Sequence, residues 1–163
     1  MKNLRDLLEH EIQDLYSAED QLVDALPKMA KAAKHAALKK AIENHLEETK
    51  KQKERLEKVA DLLDMKPSGH KCKAMAGLIA EGEEILKEDA EAEVKDAAII
   101  GASQRVEHYE IAGYGTARYY AKMLGENEVA KLLSQTLDEE KGADEKLNNL
   151  ATEKINEKAM AEN

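Results

Sequence analysis

Within the run Val106-Glu107-His108-Tyr109-Glu110, two carboxylates stand one helical turn apart. An α-helix advances about 100° per residue, so the stretch from Asp96 to Leu124 carries an apolar stripe through Ala97, Ile100, Ile111, Tyr114, Ala117 and Ala121. Glu107 falls at the centre of that stripe, and Glu110 lies roughly 50° to its side, still inside the buried arc. An unpaired buried charge costs several kcal/mol, and a bound cation is the most economical compensation.

Helical spacing also places inward acids on three further segments. Glu19 lies at mid-helix about 55° from the apolar line through Leu4, Leu8, Leu15, Leu22, Leu26 and Met29, with Glu11 near the centre of that line but about two turns closer to the end. His45 and Gln52 sit near the middle of the stripe Leu38, Ile42, Thr49, Leu56, Val59 and Leu63, with Glu48 on its flank and Glu47 turned away. Glu140 is central to Val129, Leu133, Thr136, Leu147 and Ala151, with Asp144 a turn later and Ala143 leaving room. If these helices pack antiparallel about one axis, Glu19, Glu48, Glu107 and Glu140 converge at one level with Glu110 beside them. Two divalent cations bridged by carboxylates would neutralise such a group, and oxygen plus imidazole donors suit iron or manganese.

Each assignment has a plainer counterpart. Helix rotation could turn Glu19 and Glu48 to the surface while Arg55 or Arg118 pairs with the other acids. His45 is either a ligand or a core histidine satisfied by an acid. Asp144 is either a ligand at the end of the site or an edge acid. Gln52 reads as a hydrogen-bond donor behind the ligands, and Tyr114 as a donor to a carboxylate, a local electron donor or a core filler. Cys72, Met75 and His70 offer soft donors, but a single thiol in a loop carries little.

The elements that must position these residues are long helices. The pattern predicts helices from about Asn3 to Ala33, with Pro27 kinking or splitting it, from about Ala37 to Asp64, from Asp96 to Leu124, and from about Glu128 to Ala159, fraying over 159–163. His35-Ala36-Ala37 and Gly125-Glu126-Asn127 are short turns between antiparallel neighbours. Between Met65 and Glu93 lies a crossover with its own shorter helix, Met75 to about Lys87. Two hairpins joined by one long crossover give an all-α, ferritin-like four-helix bundle with a fifth short helix, read as a single domain over 1–163.

Composition agrees with that class. The 163 residues contain only two prolines and no Trp or Phe, which disfavours an aromatic-rich sheet and a base-stacking surface. A net charge of −9 repels nucleic acid and anionic membranes and favours metal ions or proteins as partners. With one cysteine there is no internal disulfide and no cysteine-based cluster. The first residues lack a signal-type apolar run and no segment reaches the roughly 20 apolar residues of a membrane span, so a cytoplasmic protein is expected.

At Asp14-Leu15-Tyr16-Ser17-Ala18-Glu19, His45-Leu46-Glu47-Glu48-Thr49, Val106 to Ala112 and Leu137-Asp138-Glu139-Glu140-Lys141, the sequence resembles the YciF/YciE family of bacterial stress-associated, ferritin-like proteins. The resemblance spans nearly the whole chain. It implies a five-helix fold, a dinuclear metal site with iron favoured, and a homodimer, but no substrate. One departure is visible: the helical Glu-x-x-His pair of diiron bundles is missing, since Glu47 is followed by Lys50 and Glu140 by Ala143. A carboxylate-rich site with His45 as its one imidazole should favour manganese or ferric iron.

The expected function is metal-dependent handling of peroxide or oxygen during stress, with two iron or manganese ions per chain held by Glu19, Glu48, Glu107, Glu110 and Glu140, and with His45 and Asp144 as further candidates. The alternatives are iron binding without turnover, or a helical interaction module whose core acids are salt-bridged.

Overall fold

The computed structural model describes residues 1–161, and among them every regular element is helical. Helix α1 (Leu4–Ala32) starts at Asn3, whose side chain accepts the Asp6 amide. It runs unbroken through Pro27, against the expectation of a split. The ring removes only the hydrogen bond to the Val23 carbonyl, and Pro27 lies on the exposed side, where water can serve that carbonyl. A three-residue turn leads to α2 (Ala36–Leu62). The turn is pinned from outside its own hairpin: the amides of Lys34 and His35 donate to the two oxygens of buried Asp96, at 2.8 and 2.7 Å.

The crossover after α2 carries α3 (Lys73–Lys87), whose N-cap is Cys72; its sulfur accepts the Met75 amide at 3.3 Å. Helix α4 (Ala92–Met123) follows, begun four residues earlier than its apolar stripe indicated. Gly125, with φ of +77°, makes the reversal into α5 (Asn127–Leu150). The last helix is not the continuous one expected to Ala159. A π-helical turn, Ala151–Ile155, interrupts it before α6 (Asn156–Ala161), and the wider turn keeps Leu147, Ala151 and Ile155, spaced by four, together in the core. The expected fraying at Ala159–Ala161 is not seen as lost helix, and residues 162 and 163 lie outside the described ones.

Helices α1 and α2 form one antiparallel hairpin, α4 and α5 the other, and α3 packs on α4 and α1. This is the ferritin-like bundle. Its core is divided in two. At one end Leu8, Ile12 and Leu15 of α1 meet Leu56, Val59, Tyr114, Ala117 and Leu133; at the other, Leu22 and Leu26 meet Leu38, Ile42, Ile99, Ile100 and Leu147. Between the two apolar cores lies a buried polar layer, to which α1 contributes Glu19, α2 His45, Thr49 and Gln52, α4 Ser103, Glu107 and Glu110, and α5 Thr136 and Glu140. Apolar burial of about 25 cal/mol per Å² on both sides holds the helices in register and so forces the polar layer together.

Candidate metal centre

Each long helix presents its polar residues between apolar ones at helical spacing, so burying the stripes carries the acids inward with them. Glu107 and Glu110 project together from α4. His45 reaches in from α2 and Glu140 from α5, and one potential ligand atom from each of His45, Glu107, Glu110 and Glu140 lies within 4.8 Å of the others. His45 Nε2 stands 3.3 Å from Glu107 Oε1. Glu19, fully buried on α1, adjoins this group and accepts a hydrogen bond on Oε1 from the Tyr114 hydroxyl.

The structure therefore brings together Glu19, His45, Glu107, Glu110 and Glu140 from the sequence-derived set. Glu48 stands apart at the mouth of the site, its side chain 33% exposed, with Oε2 at 3.9 Å from His45 Nδ1 and Oε1 at 3.9 Å from Lys146 Nζ. Asp144 lies at the edge, accepting from Gln104 at 3.1 Å and contacting His108 Nε2 at 3.3 Å. Gln52 donates from its amide nitrogen to Glu140 Oε1 and, at 3.2 Å, to Glu139 Oε2. Gln52 and Tyr114 thus stand behind the carboxylates as hydrogen-bond donors. Glu11 is only half-buried, near the end of α1.

Among the described residues no arginine pairs directly with these acids, and Arg55 acts on Glu19 only through its charge. Arg55 engages Glu139 through both its terminal nitrogens, at 2.8 and 2.9 Å, and donates to Thr136 Oγ1 at 2.6 Å. That clamp was not found from the sequence, because Glu139 points off the apolar line that drew attention to Glu140. Ser103 was also missed, although its position one turn before Glu107 placed it on the inward face. Cys72, considered as a soft ligand, is instead buried, capping α3 and contacting the Tyr109 hydroxyl at 3.1 Å. Tyr109 also donates to Asp14, whose other oxygen is 3.0 Å from His70 Nε2.

Electrostatics follow from burial. Loss of water pushes the carboxyl groups of Glu19, Glu107 and Glu110 well above the usual carboxylate range, and the neighbouring acids push them further: Glu140 acts on Glu19 and Glu107, and Glu19 on Glu110. Glu48 is lowered instead, first by His45 and in smaller measure by Lys146. Even with Tyr114 and Gln52 donating, many buried atoms have no hydrogen-bond partner: Glu19 Oε2, Glu107 Oε2, both oxygens of Glu110, Glu140 Oε2 and both nitrogens of His45. Unsatisfied buried groups in such number are abnormal for a folded core. Their donor chemistry, oxygen-rich with one imidazole and converging on a common point, fits a hard or borderline divalent cation.

Residues 3–160 match the protein family described as a domain of unknown function, DUF892. Protein YciF of Escherichia coli (strain K12) is 47% identical over 160 residues, which are 98% of this chain and 96% of that protein. The crystal structure of the E. coli stress protein YciF superimposes with a TM-score of 0.92 at 46% identity, covering 96% of this chain and 99% of that one. YcfI from Rhodopseudomonas palustris gives a TM-score of 0.88 at 47% identity over 91% of this chain and 94% of its own. A protein from Xanthomonas campestris gives 0.79 at 27% identity over 98% of each.

Proposed function

The chain belongs to the DUF892 family and is a relative of YciF, and from that premise we propose that it is a dinuclear metal protein of the stress response, holding iron or manganese in the polar layer of its bundle. The observation that carries the reading is the convergence of His45, Glu107, Glu110 and Glu140 beside Glu19, with buried oxygens and nitrogens that lack a hydrogen-bond partner. Four carboxylates, Glu19, Glu107, Glu110 and Glu140, balance the charge of two divalent cations.

When bound, such a metal pair supplies redox chemistry toward peroxide or dioxygen. The chain's own contribution is to fix ligand orientation. Tyr114 holds Glu19, Gln52 holds Glu140, and the Arg55–Glu139 clamp anchors the α2–α5 interface behind them. The apolar cores on either side exclude bulk water and strengthen every charge interaction between them.

A second reading is a metal-free structural bundle in which the acids are protonated, and it is supported by the upward displacement of Glu19, Glu107 and Glu110. Metal content separates the two readings. Consumption of hydrogen peroxide by iron-loaded or manganese-loaded protein then separates turnover from simple metal buffering: loss of peroxide at a rate above that of free metal supports turnover, and none leaves buffering.

A further inference from the structure

A cavity of about 20 Å³ lies between α2, α4 and α5, lined among others by the partly exposed Glu48 and the exposed Lys146 and by the buried His45, Ser103 and Glu107. That volume holds about one water molecule. Two of the lining side chains, His45 at 6% exposure and Ser103 at 5%, carry polar atoms without a hydrogen-bond partner.

We propose that this cavity is the port through which a divalent cation reaches the buried acids, with Glu48 as the transfer carboxylate at its mouth and Lys146 as the displaceable counter-ion that occupies Glu48 until a cation arrives. The inference rests on the metal reading above. A hydrated cation is larger than the single water this cavity holds, so it must exchange its water for protein donors on the way in. Glu48, Ser103 Oγ and His45 supply such donors in sequence, ending at Glu107. Lys146 is 62% exposed and 3.9 Å from Glu48, so the pair is a weak surface contact that a divalent ion breaks at little cost.

The test is the rate of cobalt(II) uptake by metal-free protein, followed by stopped-flow visible absorption, with the final stoichiometry measured separately. Glu48→Gln and the cavity-filling Ser103→Leu should slow uptake about tenfold or more, and Lys146→Glu should accelerate it several-fold, with the final cobalt content of all three equal to that of the unaltered chain. Lys146→Glu changes an exposed residue and keeps the test independent of any folding defect in Ser103→Leu. Unchanged rates in Lys146→Glu and Ser103→Leu would overturn the port. Lower final content in Glu48→Gln would overturn the transfer role and make Glu48 a resident ligand. No cobalt in the unaltered chain would overturn the metal reading itself, and the port with it.

Discussion

The Tyr114 hydroxyl on α4 donates to Glu19 Oε1 on α1 at a depth where neither side chain meets solvent. The bond ties the two hairpins together across the boundary between the polar layer and one apolar core. Tyr114→Phe leaves the ring packing intact and strands a buried carboxyl group. The metal-free protein should lose about 1–3 kcal/mol of stability in urea unfolding, with its helical circular dichroism preserved. A loss near zero would mean that Glu19 already has another partner.

The raised carboxyl groups set a pH dependence for the metal-free protein. Folded Glu19, Glu107 and Glu110 hold protons that the unfolded chain releases near the ordinary value of 4.5. Their contribution to stability is therefore intact below that value and is lost as the pH rises through the raised ones, at up to about 1.4 kcal/mol per group per pH unit. Thermal unfolding of metal-free protein should show a falling midpoint from pH 5 to pH 8. Added manganese(II) should reverse the trend, because a cation binds the ionised ligands and gains affinity with pH. A midpoint that rises with pH in the absence of metal would contradict the burial of these acids.

Arg55 makes a two-pronged contact with Glu139 and is little exposed. Arg55→Lys cannot reproduce the fork, so it should destabilise the protein nearly as much as Arg55→Ala, about 1–3 kcal/mol. Parallel urea denaturation of the two variants checks this. Full rescue by lysine would show that only the charge matters.

Two glycines on α4 make opposite predictions. A Cβ at Gly113 would stand 2.8 Å from Leu15 Cδ2, inside a packed core, whereas a Cβ at Gly115 meets nothing within 4 Å. Gly115→Ala should stabilise by about 0.5–1 kcal/mol through helix propensity, and Gly113→Ala should lose that gain to overpacking of about 1–3 kcal/mol. Differential scanning calorimetry reads both. Destabilisation at Gly115 would contradict the open space beside it.

Much of this arrangement was legible because helical spacing is rigid. Once the apolar stripes of four helices are drawn, the inward residues follow, and Glu19, His45, Glu107, Glu110 and Glu140 were placed by that geometry alone. Residues off the stripe escaped it. Glu48 and Asp144 lie on flanks, where a rotation of a few tens of degrees, set by packing against neighbours, decides between core and rim. The Arg55–Glu139 fork and the Tyr109–Asp14 contact join residues far apart in sequence, and single-helix periodicity carries no information on such pairs. The π turn at Ala151–Ile155 likewise depends on what α5 packs against rather than on its composition.

Whether the polar layer holds metal is decided by elemental analysis of protein purified without chelator or affinity tag. The comparison is a Glu107→Ala/Glu140→Ala variant shown by circular dichroism to remain helical. About two iron or manganese ions per chain are expected, lost in the variant. No bound metal after anaerobic reconstitution with iron(II) or manganese(II) would contradict it and leave a structural bundle whose core acids are protonated.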